Sequence, residues 1–265
     1  MPLSRFSRSF LASGFALGLA AGASALGGAA TATAAPAPIV GGSQAGQTYS
    51  FMGSMQVNGR HHCGASLIAP GWMVTAKHCT FGQGGGPVQP SSIRVRIGSN
   101  DHQSGGTVAG VSQIIRSSNS QTLDGQDIAL LKLSQEVSNT PVAIASGTPR
   151  ENTPIKLLGW GQTCPQAGCS QSPPRYLKQL DTKVTSSRSC PQMSQRELCI
   201  NGTRSSTACY GDSGGPALIG EGGRLELAGA TSRAGVDTQT CGDGGTIYTD
   251  VASWRSWIQQ YTGAN

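Results

Sequence analysis

The sequence predicts an all-β protein closed by one C-terminal helix. Three observations carry this. β-Branched runs recur between clusters of Gly, Ser, Thr and Pro. Long amphipathic helical patterns are scarce. Of 265 residues, 38 are Gly and only 12% are charged, a turn-rich composition in which apolar strand segments still recur throughout. The length suffices for a substantial core or for two small barrels.

The first segment reads as a leader. Arg5 and Arg8 supply a positive start, Phe10 to Leu26 is apolar but rich in Ala and Gly, and Ala32-Thr33-Ala34 offers a small-residue cleavage site. Residues 1–34 are therefore expected to be an export signal peptide, and 35–38 a short pro-segment. The apolar run falls short of the ~20 strongly apolar residues that span a bilayer, and no later stretch could do so. The Ala- and Gly-rich leader has the composition of signals from high-GC, actinomycete-like bacteria. A secreted, soluble, extracellular monomer is expected.

Composition changes at Ile39-Val40-Gly41-Gly42. Residues 51–79 alternate apolar and polar side chains as far as His78-Cys79. Ile93-Arg94-Val95-Arg96-Ile97 is a period-two strand with Ile93, Val95 and Ile97 on one face. Val108 to Ile115 is another. Ile128 to Leu133 is apolar enough for a strand buried on both faces. Residues 137–153, with Pro141 and Pro149, connect two halves. The second half reads as strands at Ile155 to Trp160, near 176–186, and at 197–201, 215–220, 224–231 and 245–250, with a loop from Cys164 to Pro174. Trp254, Trp257, Ile258 and Tyr261 fall at i, i+3, i+4 and i+7, the packing face of a helix.

Eight cysteines in an exported chain suggest four disulfides. There is no Cys-x-x-Cys, and the histidines do not space with cysteines as zinc ligands do, so no metal is expected. No cofactor is expected either. The net charge is +6. Losing Arg5 and Arg8 takes the 19 basic residues to 17 against 13 acidic ones, or +4. The basic residues are scattered, which does not imply nucleic acid.

Chemistry enters with Gly211-Asp212-Ser213-Gly214-Gly215-Pro216, which proposes Ser213 as a nucleophile held between glycines. A Gly-x-Ser-x-Gly also marks α/β hydrolases, but those need a histidine after the serine. Here His61, His62, His78 and His102 all precede it. The order Asp, His, Ser fails as well: the first acidic residue is Asp101, which only His102 follows, as its immediate neighbour. The order His, Asp, Ser remains. An esterase on an unrelated fold is excluded by the same reasoning.

On these pieces the chain resembles the secreted serine endopeptidases of the trypsin/chymotrypsin family. The matching segments are Ile39 to Gly42, Thr75-Ala76-Lys77-His78-Cys79, Asp127 to Leu133, Gly159-Trp160-Gly161 and Cys209 to Pro216, in the family's order over essentially all of 39–265. The resemblance implies two six-stranded antiparallel β-barrels (about 39–149 and about 150–265) with the active site in the cleft between them. His78 is then the base and acid, Asp127 its orienting partner, and Ser213 the nucleophile. Asp124, beside Gly125, is the rival aspartate and reads as a turn residue. Ser232 matches the serine that buttresses the aspartate. The N–H groups of Gly211 and Ser213 form the oxyanion hole.

The same resemblance implies a zymogen. Asp212 would pair with the amino terminus freed at Ile39. Pro38 precedes Ile39, so tryptic cleavage cannot free it. Ala35-Pro36-Ala37-Pro38 instead offers two Xaa-Pro dipeptides for stepwise removal. The implied disulfides are Cys63–Cys79, Cys190–Cys199 and Cys209–Cys241, leaving Cys164–Cys169. Thr207 would floor the specificity pocket, where an aspartate would select Lys or Arg. Ala208, Tyr210, Ser232, Arg233, Ala234, Gly245 and Thr246 would line it, with Thr246 narrowing it. Cleavage after small to medium apolar residues is expected, aromatic preference being second. Asp243 would charge the pocket only if the alignment shifted. Arg233 stands where an aromatic usually lines the extended cleft and is expected to favour acidic substrate residues. Lys77 is expected to point away from His78, and His61 and His62 to lie on the surface. The expected partners are polypeptide substrates and proteinaceous inhibitors. A non-catalytic binding protein on the same scaffold is the alternative class.

Overall fold

A computed structural model describes residues 39–82, 84–169, 172–221 and 224–263. The expected signal peptide and pro-segment lie outside the described residues. In chain order the first seven strands are β1 (Ser43–Gln44), β2 (Met52–Val57), β3 (Arg60–Ala69), β4 (Trp72–Thr75), β5 (Ile93–Ile97), β6 (Thr107–Arg116) and β7 (Ala129–Leu133). Strands β2-β3-β4-β7-β6-β5 close into a barrel. Period-two patterning builds its wall: Ile93, Val95 and Ile97 are fully buried while Arg94 is exposed. β7 buries every residue except Lys132.

The β2–β3 hairpin turns through Asn58 and Gly59, with φ of 52° and 77°. Positive φ at both centres is the two-residue turn that matches strand twist. Pairing of Met55 with Cys63 but Gln56 with His61 leaves His62 as an extra residue. This bulge re-aims the side chains of the hairpin end.

The remaining strands are β8 (Ala143–Ile144), β9 (Pro154–Gly159), β10 (Lys178–Lys183), β11 (Glu197–Ile200), β12 (Pro216–Glu221), β13 (Arg224–Ala234) and β14 (Thr246–Asp250). They form a second sheet in the order β1-β10-β9-β12-β13-β14-β11, with β8 parallel to β13. The ends of β10 and β11 approach each other where Val184 bridges Ile200 and Asn201 N donates to Lys183 O at 2.9 Å. Two strands of the first half, β1 and β8, thus belong to the second sheet. β8 interrupts the connection at 137–153; two residues are too few to show a period in sequence.

Helix α1 (Arg255–Thr262) follows a 3₁₀ turn at Ala252–Trp254. Trp254 and Ile258 are buried in the main core cluster, with Trp257 packed partly against it. Tyr261 is 43% exposed, because the last turn runs past the body. It completes an edge-to-face ladder with Trp257 and Trp254, centroids 5.6 and 5.4 Å apart.

Candidate active site

The fold delivers the three expected side chains from three strand ends. β4 pairs with β7 through Thr75 and Ala129, which sets the residues beyond Thr75 beside those before Ala129. His78 lies in the 3₁₀ turn Lys77–Thr80 and Asp127 just before β7. Ser213 sits in the turn before β12. Gly64 of β3 reaches it, its N–H donating to Ser213 O at 2.8 Å. A Cβ at Gly64 would lie 2.6 Å from the Cα of Gly215, so only glycine lets the two sheets approach here.

Asp127 is fully buried. Its Oδ2 accepts from Ser232 Oγ (2.7 Å) and faces His78 Nδ1 (2.8 Å), and its Oδ1 accepts from His78 N (2.9 Å). Thr249 Oγ1 donates to its carbonyl at 2.9 Å. Burial alone would raise the Asp127 pKa; the hydrogen bonds of His78 and Ser232 outweigh it and hold the carboxyl below its ordinary value. The ionised Asp127 fixes Nδ1 as the protonated nitrogen and leaves Nε2 for the serine. His78 and Ser213 line the same cavity of about 330 Å³, with no hydrogen bond between them among the described residues. Such bonds tighten when substrate binds.

Gly211 has φ +95°. Neither its N–H nor that of Ser213 has a protein acceptor among the described residues, while Asp212 N and Gly214 N are bonded to Cys209 O and Thr231 O. Two unspent amides beside a nucleophile are what a developing oxyanion requires. Asp212 is buried at 2% exposure between Gly161 N (2.8 Å to Oδ1) and Cys209 N (2.9 Å to Oδ2). Burial pushes its pKa up to about 7 against those two hydrogen bonds. Ile39 is also buried, with φ 41°, and Val40 O accepts from Thr207 N at 2.9 Å. Among the described residues Asp212 has no ion-pair partner.

The cavity is bounded by Ala208, Tyr210, Ser232, Arg233, Ala234, Gly245 and Thr246, and by Thr238, Thr240 and Gly242, which the sequence did not single out. Thr207 is corrected: it does not line the cavity. Its Oγ1 turns onto Thr246 Oγ1 (3.2 Å) and Ala208 O (3.2 Å), behind the wall. Asp243 stays out of the cavity, ion-paired with Arg204 and bonded to Thr238 Oγ1 at 2.8 Å.

Arg233 departs from expectation. Its side chain is only 16% exposed. Nη1 and Nη2 grip Glu197 Oε1 (2.6 Å) and Oε2 (3.1 Å), and Nη2 also reaches Gln192 O (2.9 Å) and Asp124 Oδ1 (3.4 Å). One cation between two carboxylates leaves no positive charge to attract acidic substrate residues. Glu197 also accepts from Gly125 N (2.8 Å) and Ser194 N (2.6 Å), tying the loop before Asp127 to the pocket strand. Lys77 turns onto Ser118 Oγ (2.9 Å) and Thr122 O (2.8 Å).

His61 and His62 are half-buried rather than on the surface. His61 Nδ1 lies 2.8 Å from Ser54 Oγ and Nε2 lies 3.2 Å from Gly211 O. Burial brings its pKa down to about 4, so it is neutral and its Nε2–H donates to Gly211. The bulge at His62 breaks the strand's alternation beside it, so pattern reading does not place either side chain. Disulfides join Cys63–Cys79, Cys164–Cys169, Cys190–Cys199 and Cys209–Cys241. Cys63, His78 and Cys79 cluster within 4.8 Å, but the disulfide removes both thiolates as metal ligands.

A family model described as Trypsin matches residues 39–258. Trypsin-3 of Salmo salar is 34% identical over 245 residues, covering 86% of this chain and 94% of the relative. Hypodermin-B of Hypoderma lineatum is 30% identical over 238 residues, covering 84% and 86%. Chymotrypsin-like elastase family member 1 of Macaca fascicularis is 28% identical over 249 residues, covering 86% and 91%.

Proposed function

Because this chain belongs to the trypsin family of serine endopeptidases, we propose that it is exported and cuts polypeptides after small to medium apolar residues, through an acyl-enzyme on Ser213. His78 takes the Ser213 proton as the oxygen attacks the scissile carbonyl, then gives it to the leaving amine. Asp127, held by Ser232, keeps the imidazole in the working tautomer. Gly211 N and Ser213 N receive the oxyanion, a donor of this kind being worth ~2.7–4 kcal/mol in the transition state. The observation that carries the reading is the Ser232–Asp127–His78 chain beside Ser213 in one cavity with two unspent amides.

Specificity follows from the pocket's chemistry. Thr246 narrows its wall, with its hydroxyl turned back onto Thr207 behind it, and no carboxylate lines the pocket to attract Lys or Arg. Methylene-sized differences discriminate by only ~1–3 kcal/mol, so the preference is broad. The four disulfides and the leader support secretion, and the leader's composition supports a bacterial source. Activity requires removal of residues 1–38, after which the Ile39 ammonium pairs with Asp212 and orders the oxyanion loop.

A serine-directed phosphonylating reagent should label the mature protein stoichiometrically at Ser213 and abolish turnover, with neither seen in Ser213→Ala. Failure to label would sink the peptidase reading and leave a binding protein on this scaffold. A peptide-library profile dominated by Lys or Arg would overturn the pocket assignment.

A further inference from the structure

A second cavity, also about 330 Å³, lies between the first barrel and the Ser172-Pro173 loop. Arg60, His61, Arg96 and His102 line it. His61 ties it to the reacting centre through its bond to Gly211 O. Its charge is one-sided. None of its lining residues is acidic, and the nearest carboxylate, Asp101, is taken by Arg175 at 2.8 Å and by Ser104 Oγ at 2.7 Å. Arg60 follows the Asn58-Gly59 turn, exposed, and its guanidinium has no hydrogen bond or ion pair among the described residues. Arg96 is held in place by His102 O at 3.2 Å and by Gly105 O. Counting Arg60, Arg96, Arg175 and Asp101, the net charge is +2. His102, 6% exposed, presents a buried Nε2 with no partner among the described residues.

On the peptidase reading the pocket beside Ser213 holds the acyl half of the substrate, and the Arg60–Arg96 cavity adjoins the oxyanion loop through His61. We propose that the Arg60–Arg96 cavity takes an acidic side chain, Asp or Glu, from the leaving half of the substrate. This rests on the peptidase reading. The chemistry is carboxylate on guanidinium, with Arg60 the free donor and Arg96 fixing the far side. Burial holds both His61 and His102 below the ordinary histidine value, so the cationic charge rests on the arginines and the preference is independent of pH across neutrality.

The test uses the mature protein and peptides with amidated C-termini, identical but for Glu or Gln at each of the first few positions after the scissile bond. At one position Glu should be cleaved with a kcat/KM about 5-fold above Gln at low salt, the advantage shrinking as ionic strength rises. Arg60→Glu, at an exposed turn position, should reverse the ratio. Equal rates for Glu and Gln, unmoved by salt and by Arg60→Glu, overturn the proposal. So does a gain from a free C-terminal carboxylate on the Gln peptide equal to that from Glu, since the cavity would then read chain ends. Binding of the labelled leaving-half peptides to Ser213→Ala protein, read by anisotropy, decides the cavity without turnover. Tighter binding of the Glu peptide supports it and equal binding refutes it, even if the mature protein cleaves nothing and the peptidase reading fails.

Discussion

Ser232 is the side chain whose loss tests the site most cleanly. Its hydroxyl is one of three donors to the Asp127 carboxylate. Hydrogen bonds to charged groups contribute about 1.5–3 kcal/mol, so Ser232→Ala should cut kcat/KM by about tenfold or more. The sign of the pH effect is fixed. A carboxyl whose folded pKa is depressed is ionised, and useful, until pH falls through that value. Removing a donor raises it, so the acid-side loss of folding stability should move to higher pH in Ser232→Ala. A drop in kcat/KM without that movement would mean Ser232 acts only on packing. Glu197 belongs to the same scale. Its side chain is fully buried against Arg233. Glu197→Ala leaves the Arg233 guanidinium only the more distant Asp124 as an ion partner and strands two backbone amides, and should cost about 3–5 kcal/mol, read by denaturant unfolding. A loss under about 1 kcal/mol would mean water replaces it fully.

Among the elements, the corner that ends β9 constrains the site most tightly. A Cβ at Gly159 would lie 1.9 Å from Asp212 Oδ1, and one at Gly161 2.3 Å from Oδ2. Gly159→Ala must therefore displace Asp212 and with it the loop carrying Gly211 and Ser213. It should abolish most activity and lower stability by about 1–3 kcal/mol, checked by kcat and Tm together. Full activity in Gly159→Ala would show that Asp212 is not what orders that loop. The strands themselves were legible in sequence wherever one face is buried: Ile93 to Ile97 and Ile128 to Leu133 announce themselves by alternation and by unbroken apolarity. Three features were not. β8 is too short to have a period, the His62 bulge breaks the alternation from which the facing of His61 would be read, and the Arg233–Glu197 pair joins residues 36 apart whose partnership no local pattern encodes. The triad side chains could be chosen from motif context, but Thr207 could not be placed, since which way a hydroxyl turns is decided by its neighbour Thr246.

At the scale of the molecule, the proposed release of Ile39 would make stability depend on processing through the buried Asp212. With residues 1–38 attached, its carboxyl has a folded pKa of about 7, above its ordinary 3.8. The folded chain then binds the proton more tightly than the unfolded chain, and stability falls as pH rises between those two values. On the proposed pairing, an ammonium freed at Ile39 would favour the ionised form and remove the penalty. A Ser213→Ala precursor should thus lose stability from pH 5 to pH 8, and the processed Ser213→Ala protein should lose less. Identical pH dependence in the two would exclude the Ile39–Asp212 pair. The strand order has a separate consequence. Ser43 and Gln44 pair with Gln179 and Lys178, and Ala143 and Ile144 with Glu226 and Leu227. A ribosome releasing this chain from its amino end must leave both short strands without neighbours until most of the polypeptide has emerged. The halves are then not autonomous modules, and a fragment ending near residue 149 would carry two sticky ends seeking a sheet synthesised last.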